Sequence, residues 1–274
     1  DLYDQPFADS SQLPTYLVSS MAREHVSVCL SGDGGDELFA GYDRYNWALK
    51  LHKFSKYTPA GFRRFLSSCL ISLSPQSWDK VSKFLAILPG IPSKRLGDKI
   101  YKLAHVLPEE DKFTLYQNMN CLWDYPEDIT ASHSMPTILS DSNTWLDSDD
   151  FKKQMQYIDQ MLYLPDDILH KVDRASMASG LEVRVPLLDH RIIECSWRFP
   201  NSLNGKGANS KNPLRAILND YAPAELFNRP KMGFGVPIHQ WLRGELREWA
   251  SDMMSPERIN RQGLFNSQEI EDSW

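Results

Sequence analysis

Val26-Ser27-Val28-Cys29-Leu30-Ser31-Gly32-Asp33-Gly34-Gly35-Asp36-Glu37-Leu38-Phe39-Ala40-Gly41-Tyr42 runs from a short β-rich apolar stretch, through glycines, into a helical pattern. A strand followed by a glycine loop and a helix start turns backbone N–H groups toward an anionic ligand. Gly32, Gly34 and Gly35 tolerate φ > 0 or the close approach of a ligand. Asp33, Asp36 and Glu37 repel a bare polyphosphate unless a divalent cation lies between them. The stretch therefore reads as a phosphate-side site for a nucleotide with Mg²⁺. The same spacing suits a plain glycine turn whose Asp36 caps the next helix, and the stretch alone leaves both readings open.

The remaining composition sets bounds on the class of protein. With 274 residues and 42% hydrophobic content, the chain is long enough for one large or two small folded domains. Its formal net charge of −6, with Lys and Arg scattered, argues against a nucleic-acid or anionic-membrane partner. Cys29, Cys69, Cys121 and Cys195 lie far apart and form no Cys-x-x-Cys pair, so neither a zinc ribbon nor a dense disulfide framework is suggested and a reducing, cytoplasmic setting is expected. No run of apolar residues is long enough for a membrane span, and no basic-then-apolar leader opens the chain. The first residue is Asp1 rather than Met, so a piece of a longer protein is expected.

In chain order, Asp4 to Ser11 reads as a polar turn, followed by a helix carrying Leu13, Tyr16, Leu17 and Met21 and then the strand 26–30. A single helix is expected over 37–56, two more over 62–88 divided by Pro75, and others over 99–106 and 112–122. Trp123 and Tyr125 read as packing residues, and this middle section offers no chemistry. The Ser/Asp/Asn-rich stretch 131–150 marks an organisational break. A helix over 153–164 follows, then a new helix opened by Pro165, on which His170 and Lys171 read as a solvated charged face. Glu182 and Arg184 alternate on an extended run and face the same side, either as a buried pair fixing the loop or with Arg184 offered to an anion. Asp189 reads as the cap of the next helix. Residues 205–212 read as a polar loop, 213–218 as a helix, and Trp241 to Met253 as a helix packed on the core. Lys231, between Pro230 and the Gly233-Phe234-Gly235 turn, is placed to aim into a cleft. Seven scattered histidines show no metal-ligand spacing.

Ser31-Gly32-Asp33-Gly34-Gly35-Asp36-Glu37-Leu38-Phe39-Ala40-Gly41-Tyr42 resembles the second ATP-site motif of the glutamine-dependent asparagine synthase family. Gly180-Leu181-Glu182-Val183-Arg184-Val185-Pro186-Leu187-Leu188-Asp189 and Arg229-Pro230-Lys231-Met232-Gly233-Phe234-Gly235-Val236-Pro237 match the same family in the same order. The resemblance runs from about Asp4 to the final helices. It implies an α/β fold, the adenine-nucleotide α-hydrolase-like (pyrophosphate-loop) synthetase domain, across residues 1–274. The family's first ATP motif, Ser-Gly-Gly-x-Asp-Ser, and the glutaminase cysteine are not among these residues, so a truncated, mostly helical domain is expected.

The activity implied by the resemblance is ATP-dependent amide formation, a carbon–nitrogen ligation with glutamine as nitrogen donor. Aspartate, ATP and ammonia would give asparagine, AMP and pyrophosphate through β-aspartyl-AMP. By resemblance, Ser31 and Gly32 contact ATP, Asp36 holds Mg²⁺, Asp33 lies beside the intermediate and Lys231 stabilises the transferring phosphate. Family members carry Glu where this chain has Asp33. A glutaminase domain of the full-length chain is the implied partner, a homodimer stays open, and the chain alone is expected to be inactive. Two alternatives remain: the same chemistry on another carboxylate, such as a surface-polysaccharide sugar acid or a β-lactam precursor, or a non-catalytic helical interaction module.

Overall fold

Val28–Leu30 (β1) and Glu182–Arg184 (β2), distant in sequence, form a parallel pair in the register Val28↔Glu182, Cys29↔Val183 and Leu30↔Arg184. Parallel strands need a long crossover connection, which the intervening chain supplies. Glu182 N–H donates to Ser27 O at 3.0 Å, and Ser31 N–H donates to Arg184 O at 2.9 Å. The ladder thus ends at Ser31, and the glycine loop leaves the carboxyl end of the strands, the end at which α/β sheets bind ligands. In this computed structural model the described residues are 2–74, 77–81, 96–121, 126–130, 137–205, 210–227 and 235–274. Helix dominates them, and β1 and β2 form the one sheet among them.

The chain divides into two compact units, one comprising Asp1–Tyr42, Tyr125–Ile138 and Gln156–Trp274, the other Asp43–Asp124 and Leu139–Met155. In the first unit, Gln12–Arg23 (α1) packs against the helix His170–Met177. Leu38, Phe39, Ile158, Leu164, Ala175 and Leu181 are buried in this unit. In the second, Asp43–Tyr57 and Ala60–Ile71 pack with Leu96–Val106 and Lys112–Asn120 around Tyr45, Leu115, Tyr116 and Met155. The Arg63 guanidinium is fully buried there, donating to Ser55 O at 3.1 Å and to Glu110 Oε1 at 2.5 Å. Phe113 and Trp145 meet edge to face at 4.7 Å.

Several local expectations change. The helix expected over 37–56 is two: Gly35–Leu38 (α2) ends at Phe39, and Asp43–Tyr57 starts afresh beyond Ala40, whose φ of 50° no continuing helix permits. Pro165 opens no helix. It lies inside a π-helical segment, Asp159–Leu169, between Phe151–Ile158 and His170–Met177. A proline has no N–H to donate and clashes with the carbonyl four residues back, and i→i+5 geometry moves that carbonyl. Lys171 is buried rather than solvated. The helix expected through Trp241 to Met253 breaks at Gly244 into Ile238–Arg243 and Arg247–Met253, leaving Trp249 exposed. Trp123, Tyr125 and the whole Pro230 to Phe234 segment, Lys231 included, lie outside the described residues. No described helix is long and apolar enough to cross a membrane.

Candidate functional site

Gly34, the residue before α2, has φ +81°, and a Cβ there would overlap the Leu188 side chain. Gly35 is nearly as tight, 3.1 Å from Leu187 Cδ1. The loop therefore lies directly on the Pro186–Leu188 turn that follows β2, and only glycine fits this approach. Gly32 is different: nothing lies within 4 Å of where its Cβ would stand, so its outer face is open to a ligand. Beside it, Ser31 Oγ donates to Asp33 Oδ2 at 2.7 Å, which fixes the direction of that carboxylate.

Asp36 does not cap α2, since Gly34 occupies the cap position and no side-chain cap bond forms. Its carboxylate turns instead to Lys211, with Nζ 2.9 Å from Oδ2 and both side chains about a quarter exposed, 26% and 28%. Gly41 makes room for this pair: its N–H donates to Asp36 O at 2.8 Å, and a Cβ would strike Asp36 Oδ1 and come within 2.5 Å of Lys211 Cε. Glu37 is turned inward and only 2% exposed, and Tyr42 OH donates to its Oε1 at 2.5 Å. Burial pushes the Glu37 carboxyl above its ordinary range, partly offset by the Tyr42 bond. Behind it, Gln156 Nε2 donates to Glu37 O at 2.9 Å and Leu38 O at 3.0 Å, satisfying the last carbonyls of α2.

The residues fit a metal shared with phosphate groups. The Lys211 ammonium stands on Asp36 as a divalent cation would, in a space cleared by Gly41. No group of three or more His, Cys, Asp or Glu able to hold a metal occurs among the described residues. An all-protein cage is therefore absent among them, whereas Mg²⁺ in nucleotide sites takes one or two carboxylates plus phosphate oxygens.

Other expected groups form pairs of their own. Arg184 Nε meets Glu182 Oε1 at 2.7 Å on the exposed side of β2, so the pair forms but is not buried. Asp189 caps His190–Arg198, accepting Arg191 N–H at 2.9 Å, and the Arg191 guanidinium and that backbone bond hold its carboxyl far below the usual carboxylate range. Lys171 Nζ reaches Asp9 Oδ2 at 2.6 Å, while Ser11 donates to Asp9 from both its N–H and its hydroxyl. The opening segment is thereby tied to the helix carrying His170, whose ring packs 5.4 Å from Tyr3 and from Phe7. Next to the loop, an open apolar groove of about 1130 Å³ is lined by Leu30, Phe39, Leu187, Leu188, Ile192 and Leu214 among others. Sequence reasoning missed Lys211, Gly41 and this groove. The Asn212-Pro213 helix start just beyond Lys211 was visible, yet nothing local linked it to Asp36.

Compared with known proteins, residues 1–274 match the family described as asparagine synthase. Over 252 residues the chain is 32% identical to asparagine synthetase [glutamine-hydrolyzing] 1 of Bacillus subtilis (strain 168), covering 92% of this chain and 37% of that protein. It is 36% identical over 254 residues to the putative asparagine synthetase [glutamine-hydrolyzing] of Mycobacterium tuberculosis (strain ATCC 25618 / H37Rv), covering 90% and 35%. A fainter likeness, 22% over 269 residues and covering 91% and 38%, is to amidase chyE of Penicillium rubens. The chain thus spans little more than a third of the length of these relatives. No solved structure matches it.

Proposed function

Because the chain belongs to the asparagine synthase family, we propose that the protein containing it converts aspartate, ATP and glutamine-derived ammonia to asparagine, AMP and pyrophosphate. In this reading the domain has the pyrophosphate-loop fold, and a glutaminase domain of the same full-length chain supplies the ammonia. The observation that carries it is the acidic glycine loop at the carboxyl end of β1, with Asp36 already holding a cation.

The aspartate β-carboxylate oxygen attacks the α-phosphorus of ATP, and the bond to the bridging oxygen breaks as pyrophosphate leaves. Ammonia then attacks the acyl carbon of β-aspartyl-AMP, AMP departs, and a proton is lost to a base. The open face of Gly32, with Ser31 beside it, receives the phosphates against backbone N–H groups. Asp33, oriented by Ser31, is the group offered as that base. Asp36 would hold Mg²⁺, which when bound neutralises the departing pyrophosphate. Lys231, from its place in the third motif, is assigned to the charge that develops on the transferring phosphate.

The test is pyrophosphate release by the full-length protein with Mg²⁺-ATP, measured with aspartate and with a panel of other carboxylates. Release dependent on aspartate, with AMP as the other product, is expected. ADP and phosphate as products would overturn adenylation. Release with a different acid alone would move the acceptor toward the same chemistry on another carboxylate.

A further inference from the structure

We infer that Lys211 is a resident counter-ion: it occupies the cation position on Asp36 in the ligand-free protein and yields it when metal and nucleotide arrive together. This rests on the reading of Asp36 as the Mg²⁺ ligand. Three observations carry it. The ammonium is 2.9 Å from Asp36 Oδ2, where a metal ion would compete for the same oxygen. The Lys211 backbone sits in the left-handed region at φ 59°, ψ 35°, a conformation that a side chain with Cβ adopts at an energetic cost. The loop is also shaped to admit the lysine arm, since a Cβ on Gly41 would come within 2.5 Å of Cε and one on Gly35 within 3.6 Å of Nζ.

The pair differs from a buried structural salt bridge because each side chain keeps about a quarter of its surface in water, 26% and 28%, leaving the lysine a path to withdraw. Paired in this way, Lys211 offsets the Asp36 carboxylate, which together with Asp33 would otherwise oppose an incoming polyphosphate. A metal arriving alone must displace the ammonium and then remain beside a positive charge. A metal arriving with a triphosphate brings oxygens that accept the displaced ammonium. Metal and nucleotide binding are then coupled through one side chain, which favours their binding together.

Mn²⁺ binding to the full-length protein, followed by electron paramagnetic resonance with and without a non-hydrolysable ATP analogue, tests this. Without nucleotide, Lys211→Gln should bind Mn²⁺ about two- to fivefold more tightly than wild type, the range set by the modest strength of a partly exposed ion pair. Asp36→Asn combined with Lys211→Gln should erase the gain. Lys211→Arg, which keeps the charge, should stay near wild type and guards against a folding defect in the glutamine variant. With the analogue present, Lys211→Gln should lose the wild-type enhancement of Mn²⁺ binding. Equal Mn²⁺ affinity of wild type and Lys211→Gln without nucleotide would overturn the counter-ion role while leaving Asp36 as a ligand. Wild-type Mn²⁺–nucleotide binding by Asp36→Asn would instead remove the underlying reading of Asp36.

Discussion

Asp9 and Lys171 show how much a single pair can decide. Burial alone would raise the Asp9 carboxyl, but the Lys171 ammonium and the two Ser11 donors outweigh it and hold the group below its ordinary value of 3.8. A carboxylate depressed in the folded state contributes stability that is present above its unfolded value and lost as pH falls through its folded value. Asp9→Asn should therefore cost about 1–2 kcal/mol at neutral pH, discounted from a fully buried pair because Asp9 keeps some solvent contact. The gap between the two proteins should close as pH falls below 3.8. Urea unfolding of both from pH 7 downward checks this, and a gap independent of pH would show that the pair's charge carries no stability. The same pair explains why the sequence misleads here: a lysine on a polar helix position ordinarily faces water, and only a segment more than a hundred and fifty residues away brings its carboxylate.

At the scale of elements, the strand, glycine loop and helix start were legible because each depends on neighbours in sequence: β1 on its β-rich run, the loop on Gly34, the Glu182–Arg184 pair on alternation along β2. The break at Ala40 was not legible, since the chain there follows tertiary partners. Gln156, from the helix Phe151–Ile158, holds the two carbonyls at the end of α2, and Gly41 closes on Asp36. Pro165 misled for a related reason, because a start signal was read where a continuous helical run absorbs the proline by widening. This makes Gln156 the element-level test. Gln156→Leu preserves volume but removes the donor to Leu38 O and leaves Glu37 O with Gln160 Nε2 at 3.3 Å, and should destabilise by about 1–2 kcal/mol. Because α2 begins in the glycine loop proposed to receive the phosphates, turnover should fall along with stability. Thermal melting with pyrophosphate release reads both, and a variant with unchanged melting would show that α2 needs no support from behind.

At the scale of the whole molecule, the arrangement of apolar surface is as informative as the loop. Parallel strands are ordinarily covered on both faces, yet Leu30 of β1 is 71% exposed and Val28 39% exposed. On α1, Leu17 is 59% and Met21 67% exposed. Fully burying a large apolar side chain is worth roughly 1.5–3 kcal/mol, so these exposed residues leave part of that stabilisation unused. The sequence holds one acidic glycine loop but no Ser-Gly-Gly-x-Asp-Ser stretch, and the relatives it matches are about two and a half times as long. From these facts the 274-residue chain on its own is expected to bind an ATP analogue at least about a hundredfold more weakly than the full-length protein, as when several phosphate contacts are lost together. It should release no pyrophosphate and should self-associate through its exposed apolar residues as its concentration rises. Calorimetry with the analogue and sedimentation of both proteins provide the comparison. Micromolar nucleotide binding by a monomeric 274-residue chain would mean that the loop around Asp36 is a sufficient phosphate site by itself, and that the exposed faces of β1 and α1 serve something other than completing it.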